Sequence, residues 1–283
     1  MTTTDYDFLP NSILPDRDAI ITKCKEAGFC GGTGFPLRDA NGEAIIAWVK
    51  YGPYVTVNEA RTQDFASKEL ARTPDFALVK APRVFDAFQW EHPAFTLGCI
   101  VMEYVDGSDC GPVDVDDVAK AVQRLIDIRG PDLAPGHIGG TLVHSFFFLD
   151  WVAPARYTSV TDLQDHINNI LKHKGDSRRV DIVSEAENGL FLCPCDIDPG
   201  NFRRRSIDGQ LFALDFGATC LLPSSFFAVA MRLSENRFCR KVAQRVTYNE
   251  PEDVSAIVAA SYYLVQFGAQ PVALPRRLQV ANT

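Results

Sequence analysis

The 283-residue sequence predicts an α+β fold in two lobes, with a small sheet lobe first and a larger, mainly helical lobe after it. Apolar runs of strand length prevail up to about residue 105, whereas most segments with helical periodicity follow it. An acidic bend at Asp106-Gly107 lies between these two regions. We therefore expect an N-terminal lobe over residues 1–105 and a C-terminal lobe over residues 106–283.

The predicted elements of the N-terminal lobe are short and separated by clear breaks. Gly28 is typical of a helix end, Asn41-Gly42 is typical of a hairpin turn, and Pro74 cannot continue a helix. Between these breaks, apolar residues recur with the period of a helix or fill runs of strand length. In chain order we predict a helix over 19–27, a strand over 44–50, a helix over 57–71, and strands over 83–88 and 96–104.

The C-terminal lobe is predicted from amphipathic helices and one short hairpin. Val118, Val122 and Leu125 fall on one face of the first of these helices, and Asp208-Gly209 is the turn of the hairpin. We predict helices over 115–128 and 159–174, strands over 202–207 and 210–214, and helices beyond about residue 220. Residues 131–155, which contain many glycines and aromatics, are our candidate for the wall of a substrate site.

The charge and composition exclude several classes of protein. The formal net charge of −8 argues against binding to nucleic acid, because that function needs a basic face. The one dense basic run, Arg203-Arg204-Arg205, is interpreted as a solvated face of the hairpin. No signal peptide and no apolar stretch of membrane-spanning length is visible. We therefore expect a cytoplasmic protein without membrane partners, whose eight cysteines are reduced thiols.

Two groups of side chains could bind a metal through sulfur or nitrogen, and packing is the favoured interpretation of both. Cys193 and Cys195 form a C-P-C pair, but no second close Cys/His pair completes four ligands. Small buried residues on a strand that enters a loop explain the pair more simply. His137 and His144 are likewise interpreted as surface or packing residues rather than ligands.

Three oxygen-bearing side chains are predicted to converge in the stretch LFLCPCDIDPGNFRRRSIDGQLFALDFGAT, residues 190–219. Asp196 and Asn201 lie on a loop that Pro199-Gly200 forces to turn. The following hairpin returns Asp215 to a position beside Asn201. Oxygen ligands of this kind suit Mg²⁺, which binds few protein groups and completes its coordination with phosphate and water. Turn formation alone is the competing explanation for these Asp and Asn residues.

The spacing D-x-x-x-x-N, followed by a hairpin and D-F-G, resembles the signature of the protein-kinase-like superfamily. Its form D-x-x-P-G-N is more similar to the aminoglycoside phosphotransferase and choline kinase group, and the wider stretch resembles fungal phosphotransferase-like proteins. Upstream, Trp48-Val49-Lys50 resembles the strand with the phosphate-binding lysine, and Glu59 its ion-pair partner. Residues 100–105 resemble the hinge that binds adenine, so the resemblance spans most of residues 28–220.

The resemblance implies a protein-kinase-like two-lobed fold and a kinase that uses ATP and Mg²⁺. Asp196 would then be the catalytic base or orienting group for an acceptor hydroxyl. Asn201 and Asp215 would hold Mg²⁺ against the β- and γ-phosphates. Lys50, positioned by Glu59, would neutralise phosphate charge. Without the resemblance, Lys50 could be an ordinary strand-end lysine and Glu59 an exposed helix acid.

The resemblance also assigns the adenine and acceptor sites. Glu103 and Val105 of the hinge would bind ATP. The short segment after Gly217 has no A-P-E, which a protein kinase needs around its peptide site, so a small-molecule acceptor is favoured. The acceptor itself, the choice between ATP and GTP, and the oligomeric state are left open by the sequence.

Three departures from the family pattern keep a second hypothesis open. Pro194 replaces the histidine that usually braces the catalytic loop, and Asp198 stands where bacterial members often have another histidine. The glycine-rich segment Gly31-Gly32-Thr33-Gly34 lacks the full G-x-G-x-x-G spacing. The alternative is therefore a pseudokinase, catalytically weak or inactive, that binds a nucleotide or a partner and acts as a regulatory module.

Overall fold

The computed structural model describes residues 8–28, 34–72, 78–93, 95–267 and 273–279. Its first lobe is an antiparallel sheet with a helix against each face. Its elements are α1 (Arg17–Ala27), β1 (Gly34–Arg38), β2 (Ile45–Gly52), α2 (Val57–Arg72), β3 (Val84–His92) and β4 (Phe95–Met102). The four strands lie in the order β1-β2-β4-β3, so β2 and β4 are central.

Alternation along β2 decides which side chains meet which helix. Val49 is buried with Ile20 of α1 on one face of the sheet. Trp48 packs with Ala60 of α2 on the other face. Because successive side chains of a strand point to opposite faces, Lys50 shares the α2 face with Trp48.

The second lobe is mainly helical and contains most of the hydrophobic core. Its elements are β5 (Gly107–Asp109), α3 (Val115–Ile126), α4 (Val160–His173), α5 (Ile182–Glu185), β6 (Phe191–Pro194), β7 (Phe202–Arg205), β8 (Leu211–Ala213), β9 (Thr219–Leu222), α6 (Ser225–Leu233), α7 (Arg237–Ala243), α8 (Asp253–Phe267) and α9 (Arg276–Gln279). The strands form two small sheets, β5-β7-β8 and β6-β9. None of the helices in the described ranges is long and apolar enough to cross a membrane.

The predicted α+β, protein-kinase-like two-lobed fold is confirmed: an antiparallel sheet lobe precedes a helical lobe, and residues 103–106 join them without regular structure. The helices predicted over 57–71 and 159–174 are found at Val57–Arg72 and Val160–His173. Strand β3 is longer than the predicted 83–88, because its pairing with the apolar β4 continues to His92. The lobe boundary at residues 105 and 106 stays a prediction.

The C-P-C pair lies in the interior, as the packing interpretation predicts. Cys193 is on β6 and Cys195 follows that strand directly, and both are buried. Burial raises the pKa of both thiols. Within the described ranges all seven cysteines are buried and none is in a disulfide.

The basic run 203–205 lies on β7, but it is not the solvated face that we predicted. All three arginines have half-buried side chains in ion pairs. Because β5 pairs with β7, β5 and the segment after it bring acidic residues beside Arg203 and Arg204, whereas Arg205 pairs with Asp208 of its own hairpin. The pairs are Arg203 with Asp109, Arg204 with Asp114 and Asp117, and Arg205 with Asp208 and, at 4.0 Å, with Glu103.

Candidate functional site

Lys50 lies between two carboxylates that come from different elements. Its Nζ is 2.6 Å from Oε1 of Glu59 and 2.8 Å from Oδ1 of Asp215. Glu59 is in the first turn of α2 and is only 2% exposed, whereas the Asp215 side chain is 46% exposed. The structure therefore brings together three of the predicted site residues, one each from the sheet, the helix and the far end of the hairpin.

The three charges control one another's protonation. Burial acts to lower the pKa of Lys50, but the charges of Glu59 and Asp215 outweigh it and raise that pKa. Burial raises the pKa of the Glu59 carboxyl, against the opposing charge of Lys50. Burial acts in the same direction on Asp215, but Lys50 lowers the pKa of that carboxyl overall. Lys50 therefore stays protonated and Asp215 is deprotonated at neutral pH.

The turn that carries Asp215 has an unusual backbone. Asp215 has a φ of 53°, in the left-handed region, and its Oδ1 accepts a hydrogen bond of 3.2 Å from the amide of Gly217. A Cβ at position 217 would lie 3.2 Å from Asp215 Oδ1 and 3.5 Å from Glu59 Oε2. Only the contact with Asp215 is tighter than ordinary van der Waals contact, so the glycine chiefly leaves room for the Asp215 carboxylate.

The hairpin returns the chain to Asn201, as its sequence predicted. The amide of Leu214 donates a hydrogen bond of 2.7 Å to the carbonyl of Asn201. The side-chain nitrogen of Asn201 in turn donates to the carbonyl and to Oδ2 of Asp196, at 2.9 and 3.1 Å. Asp196, Asn201 and Asp215 thus lie along one continuous path of contacts.

Asp196 is a half-buried carboxylate with raised proton affinity. Burial raises its pKa, the hydrogen bond from Asn201 opposes that change, and the charges of Asp215 and Asp198 add to it. Asp198 stabilises the loop, since it accepts hydrogen bonds from the amide of Gly200 at 2.9 Å and from the side chain of Asn236 at 2.8 Å. A carboxylate with these properties can accept a proton from a nearby hydroxyl.

A cavity of about 250 Å³ opens onto this cluster. It is lined by Trp48, Lys50, Pro82, Met102, Glu103, Tyr104, Val105, Gly200, Asn201, Arg203, Leu214 and Asp215. The amide of Glu103 donates to the carbonyl of Arg83 at 2.8 Å. In the part of the chain that the structure describes, the Glu103 carbonyl and the Val105 amide have no backbone partner. The predicted hinge residues therefore line the same cavity as Lys50, Asn201 and Asp215.

Three residues that line the cavity were given no individual role by the sequence. Trp48 and Tyr104 stack with ring centroids 6.4 Å apart and ring planes inclined by 25°, and Arg203 lines the cavity near Asn201. The strand period could have identified Trp48, because it is two positions before Lys50 on β2.

Two of the positions at which the sequence departs from the family pattern are Pro194 and the end of the glycine-rich segment. Pro194 is buried and pairs with Thr219 across β6 and β9. Residues 31–33 of the glycine-rich segment lie outside the described residues. Gly34 begins β1, where a Cβ would lie 2.3 Å from the carbonyl oxygen of Val49, so this glycine allows close strand approach.

The donor set suits Mg²⁺ that is shared with a phosphate ligand. Asp215 uses Oδ1 for both of its hydrogen bonds, with Lys50 and Gly217, and among the described residues its Oδ2 has no partner. Asn201 uses its side-chain nitrogen towards Asp196, which leaves its amide oxygen as a ligand. Within the described ranges no cluster of three His, Cys, Asp or Glu side chains could hold a metal alone. One carboxylate and one amide oxygen fit an ion that also binds phosphate.

His137 and His144 are packed together rather than exposed. Their ring centroids are 4.9 Å apart, and His137 is 2% exposed. Burial and the neighbouring His144 lower the pKa of His137 to about 3, and burial also lowers the pKa of His144. Both rings are therefore neutral at pH 7.

The burial of His137 in its neutral form predicts that the protein loses stability in mild acid. An unfolded histidine takes up a proton near pH 6.5, whereas folded His137 stays neutral down to about pH 3. The unfolded state therefore binds more protons over this range, and the free energy of unfolding falls by up to about 1.4 kcal/mol per pH unit below pH 6.5 for this group.

The measurement is the unfolding free energy in denaturant between pH 7.5 and pH 5. We expect His137→Gln to give a shallower decline with falling pH than the wild type, whatever its stability at pH 7.5. Equal slopes for the two proteins would show that His137 is not buried in its neutral form.

Solved structures that resemble the chain include kinases and phosphotransferases. One is a microcompartment-associated aminopropanol kinase, at TM-score 0.47 and 10% identity, covering 94% of this chain and 92% of the other. Another is a protein assigned as a fructosamine-3-kinase from Haemophilus somnus 129PT, at TM-score 0.45 and 14% identity, covering 93% and 95%. A third is an aminoglycoside phosphotransferase from Alicyclobacillus acidocaldarius, at TM-score 0.40 and 12% identity, covering 88% and 81%.

Other comparisons found no relatives. No protein-family model and no curated protein matches the sequence. The similar structures include the phosphotransferase type that the motifs resemble, but TM-scores below 0.5 carry no argument about activity. The functional inference therefore rests on the geometry around Lys50, Asp196, Asn201 and Asp215.

Proposed function

We propose that this chain is a phosphotransferase that uses ATP and Mg²⁺ to phosphorylate a hydroxyl group of a small molecule. One observation carries the proposal: the ion-paired cluster of Lys50, Glu59 and Asp215 opens onto the cavity that Asn201 and residues 102–105 also line. Catalysis of phosphoryl transfer depends chiefly on positioning and on charge at the phosphates. A half-buried lysine that stays protonated, held beside the anionic Asp215, supplies both requirements.

The proposed nucleotide site uses the hinge for the base. The Glu103 carbonyl accepts a hydrogen bond from the adenine edge and the Val105 amide donates one to it. Trp48 and Tyr104, which line the same cavity, contact the base through their rings. Lys50 then reaches the phosphates.

The proposed reaction moves one phosphoryl group. The acceptor oxygen forms a bond to the γ-phosphorus, the bond from that phosphorus to the β,γ-bridging oxygen breaks, and ADP leaves. Asp196 takes the hydroxyl proton, and its raised pKa favours that step. Mg²⁺ held by Asn201 and Asp215 would supply positive charge at the phosphate oxygens. Lys50, held by Glu59, adds a second positive charge there.

The first test is the joint effect of nucleotide and metal on stability. ATP and Mg²⁺ together are expected to raise the unfolding temperature more than the sum of their separate effects, because Asn201 and Asp215 bind the ion best when phosphate completes its coordination. The measurement is thermal unfolding at millimolar ATP, Mg²⁺ or both, with Mg²⁺ and AMP as the control. If ATP and Mg²⁺ together leave the unfolding temperature unchanged, the proposal is contradicted.

The second test distinguishes the enzyme from the regulatory pseudokinase. Purified chain is incubated with Mg²⁺ and γ-labelled ATP in the presence of pooled hydroxyl-bearing metabolites, and labelled products are separated. Transfer of label that depends on the added pool supports the enzyme. Nucleotide binding without transfer to any pool favours the regulatory pseudokinase, the alternative that Pro194 supports.

A further inference from the structure

His137 is buried against the turn that carries Asp215, although the proposed reaction gives it no role. Its Nε2 lies 3.1 Å from the carbonyl oxygen of Gly217, 80 residues away in the sequence. A carbonyl oxygen can only accept a hydrogen bond, so Nε2 must carry the proton and donate it. His137 thus binds the carbonyl of Gly217, whereas Asp215 accepts a hydrogen bond from the Gly217 amide.

The next residue of the same loop is bonded to α2. The amide of Ile138 donates a hydrogen bond of 3.0 Å to Oγ1 of Thr62. Thr62 is fully buried, and its hydroxyl donates to the carbonyl of Asn58 at 2.9 Å. Thr62 follows Glu59 by three positions, so it lies about one helical turn further along α2. Two adjacent loop residues therefore connect the helix that presents Glu59 to the turn that presents Asp215.

These two contacts join the elements that carry the carboxylates bound to Lys50, which are α2 with Glu59 and the turn 215–217 with Asp215. Asp215 has a left-handed backbone, which costs free energy in a residue other than glycine and persists only where its surroundings hold it. Contacts on both sides of Gly217 supply this restraint. The position where a bracing histidine was expected, Pro194, has no side-chain donor.

We propose that His137 is a positioning residue that, together with Ile138, ties the turn 215–217 to α2 and so holds Asp215 in place for metal binding. Its effect on metal affinity rests on the proposed function. The tie itself does not, because it is made of contacts within the chain. His137 touches neither the nucleotide nor the acceptor in this proposal.

The test compares two substitutions that differ in the donor. His137→Phe keeps a ring and removes the donor, whereas His137→Gln keeps an N–H donor at similar reach. We expect His137→Phe to raise the Mg²⁺ concentration that gives half of the ATP-dependent thermal shift by roughly fivefold, the equivalent of one ordinary hydrogen bond. His137→Gln should stay within about twofold of the wild type. The KM for the acceptor should not change in either variant.

His166→Phe is the matched control. His166 is also fully buried and bonds Tyr157 at 2.6 Å, but it lies on α4. This variant should lower the unfolding temperature without changing the Mg²⁺ requirement. A change in the Mg²⁺ requirement as large as that of His137→Phe would overturn the proposal, and so would equal losses in His137→Phe and His137→Gln.

A second variant covers the case in which His137→Phe does not fold. Thr62→Val has nearly the same shape and removes the acceptor of the Ile138 amide, so it should raise the Mg²⁺ requirement in the same direction. A wild-type Mg²⁺ requirement in Thr62→Val would overturn the proposed tie.

Amide hydrogen exchange of the ligand-free chain separates this proposal from the proposed function. Peptides that cover residues 213–219 should exchange roughly fivefold faster in His137→Phe than in the wild type, while peptides of α4 are unchanged. Unchanged exchange in residues 213–219 would overturn the tie. A wild type without any metal-dependent thermal shift would instead overturn the proposed function, and the exchange result would still decide the tie.

Discussion

Replacing Asp196 with asparagine is expected to lower the rate of phosphoryl transfer by about 10²–10⁴-fold while nucleotide binding is retained. The amide cannot accept the proton of the acceptor hydroxyl. Asp196 has no contact with Lys50, and the proposed metal ligands Asn201 and Asp215 remain in the variant. The measurements are single-turnover transfer to an acceptor found in the pools and the thermal shift with ATP and Mg²⁺.

The control for this variant is Asp181→Asn. Asp181 caps α5 through its side-chain oxygen, which accepts from the amide of Ser184, and asparagine caps helices equally well. Its transfer rate should equal that of the wild type. If Asp196→Asn transfers phosphate at the wild-type rate, the base must be sought elsewhere in the cavity. If it loses the thermal shift as well, Asp196 takes part in binding.

Replacing Asp215 with asparagine is expected to abolish the Mg²⁺-dependent part of the ATP-induced stabilisation, a loss of at most about 2.7 kcal/mol when Mg²⁺-ATP is present at 100 times its dissociation constant. The variant lacks the anionic ligand for the ion. Its fold should persist, because asparagine tolerates the left-handed backbone that position 215 adopts. The measurement is thermal unfolding with ATP alone and with ATP and Mg²⁺.

Asp208→Asn is the matched control on the same hairpin. Asp208 pairs with Arg205 at the turn, and it does not line the cavity. Its Mg²⁺-dependent shift should equal that of the wild type. A full Mg²⁺-dependent shift in Asp215→Asn would rule out Asp215 as a metal ligand, whereas an equal loss in both variants would point to damage to the hairpin.

The features that the sequence predicted well depend on neighbours along the chain. The helices at residues 57–72 and 160–173 follow from apolar periodicity, which is a local property. The hairpin that brings Asp215 near Asn201 was predicted, but not its register. Arg204 pairs with Leu211 and residues 206–209 form the loop, so the loop is longer than the predicted two-residue turn at Asp208-Gly209.

Predictions that concerned the environment of a side chain were less complete. The basic run 203–205 was expected to be solvated, but ion pairs with residues 109–117 bury it in part, because β5 adds to the hairpin from a distant part of the chain. The strand period identifies which face a residue occupies, yet it cannot identify what packs against that face. The roles assigned to Lys50, Glu59 and the hinge residues Glu103 and Val105 stay predictions.

The sequence by itself determined the main helices, several of the strands and the spacing of Asp196, Asn201 and Asp215, because turns and periodicity act over a few residues. Only the tertiary structure decided that Lys50 meets Asp215 across 165 residues, that Glu59 is buried with a raised pKa, and that His137 bonds Gly217. These contacts depend on how α2 and the loop 137–138 pack against the turn 215–217. Burial and charge proximity arise from that packing, and no local pattern encodes them.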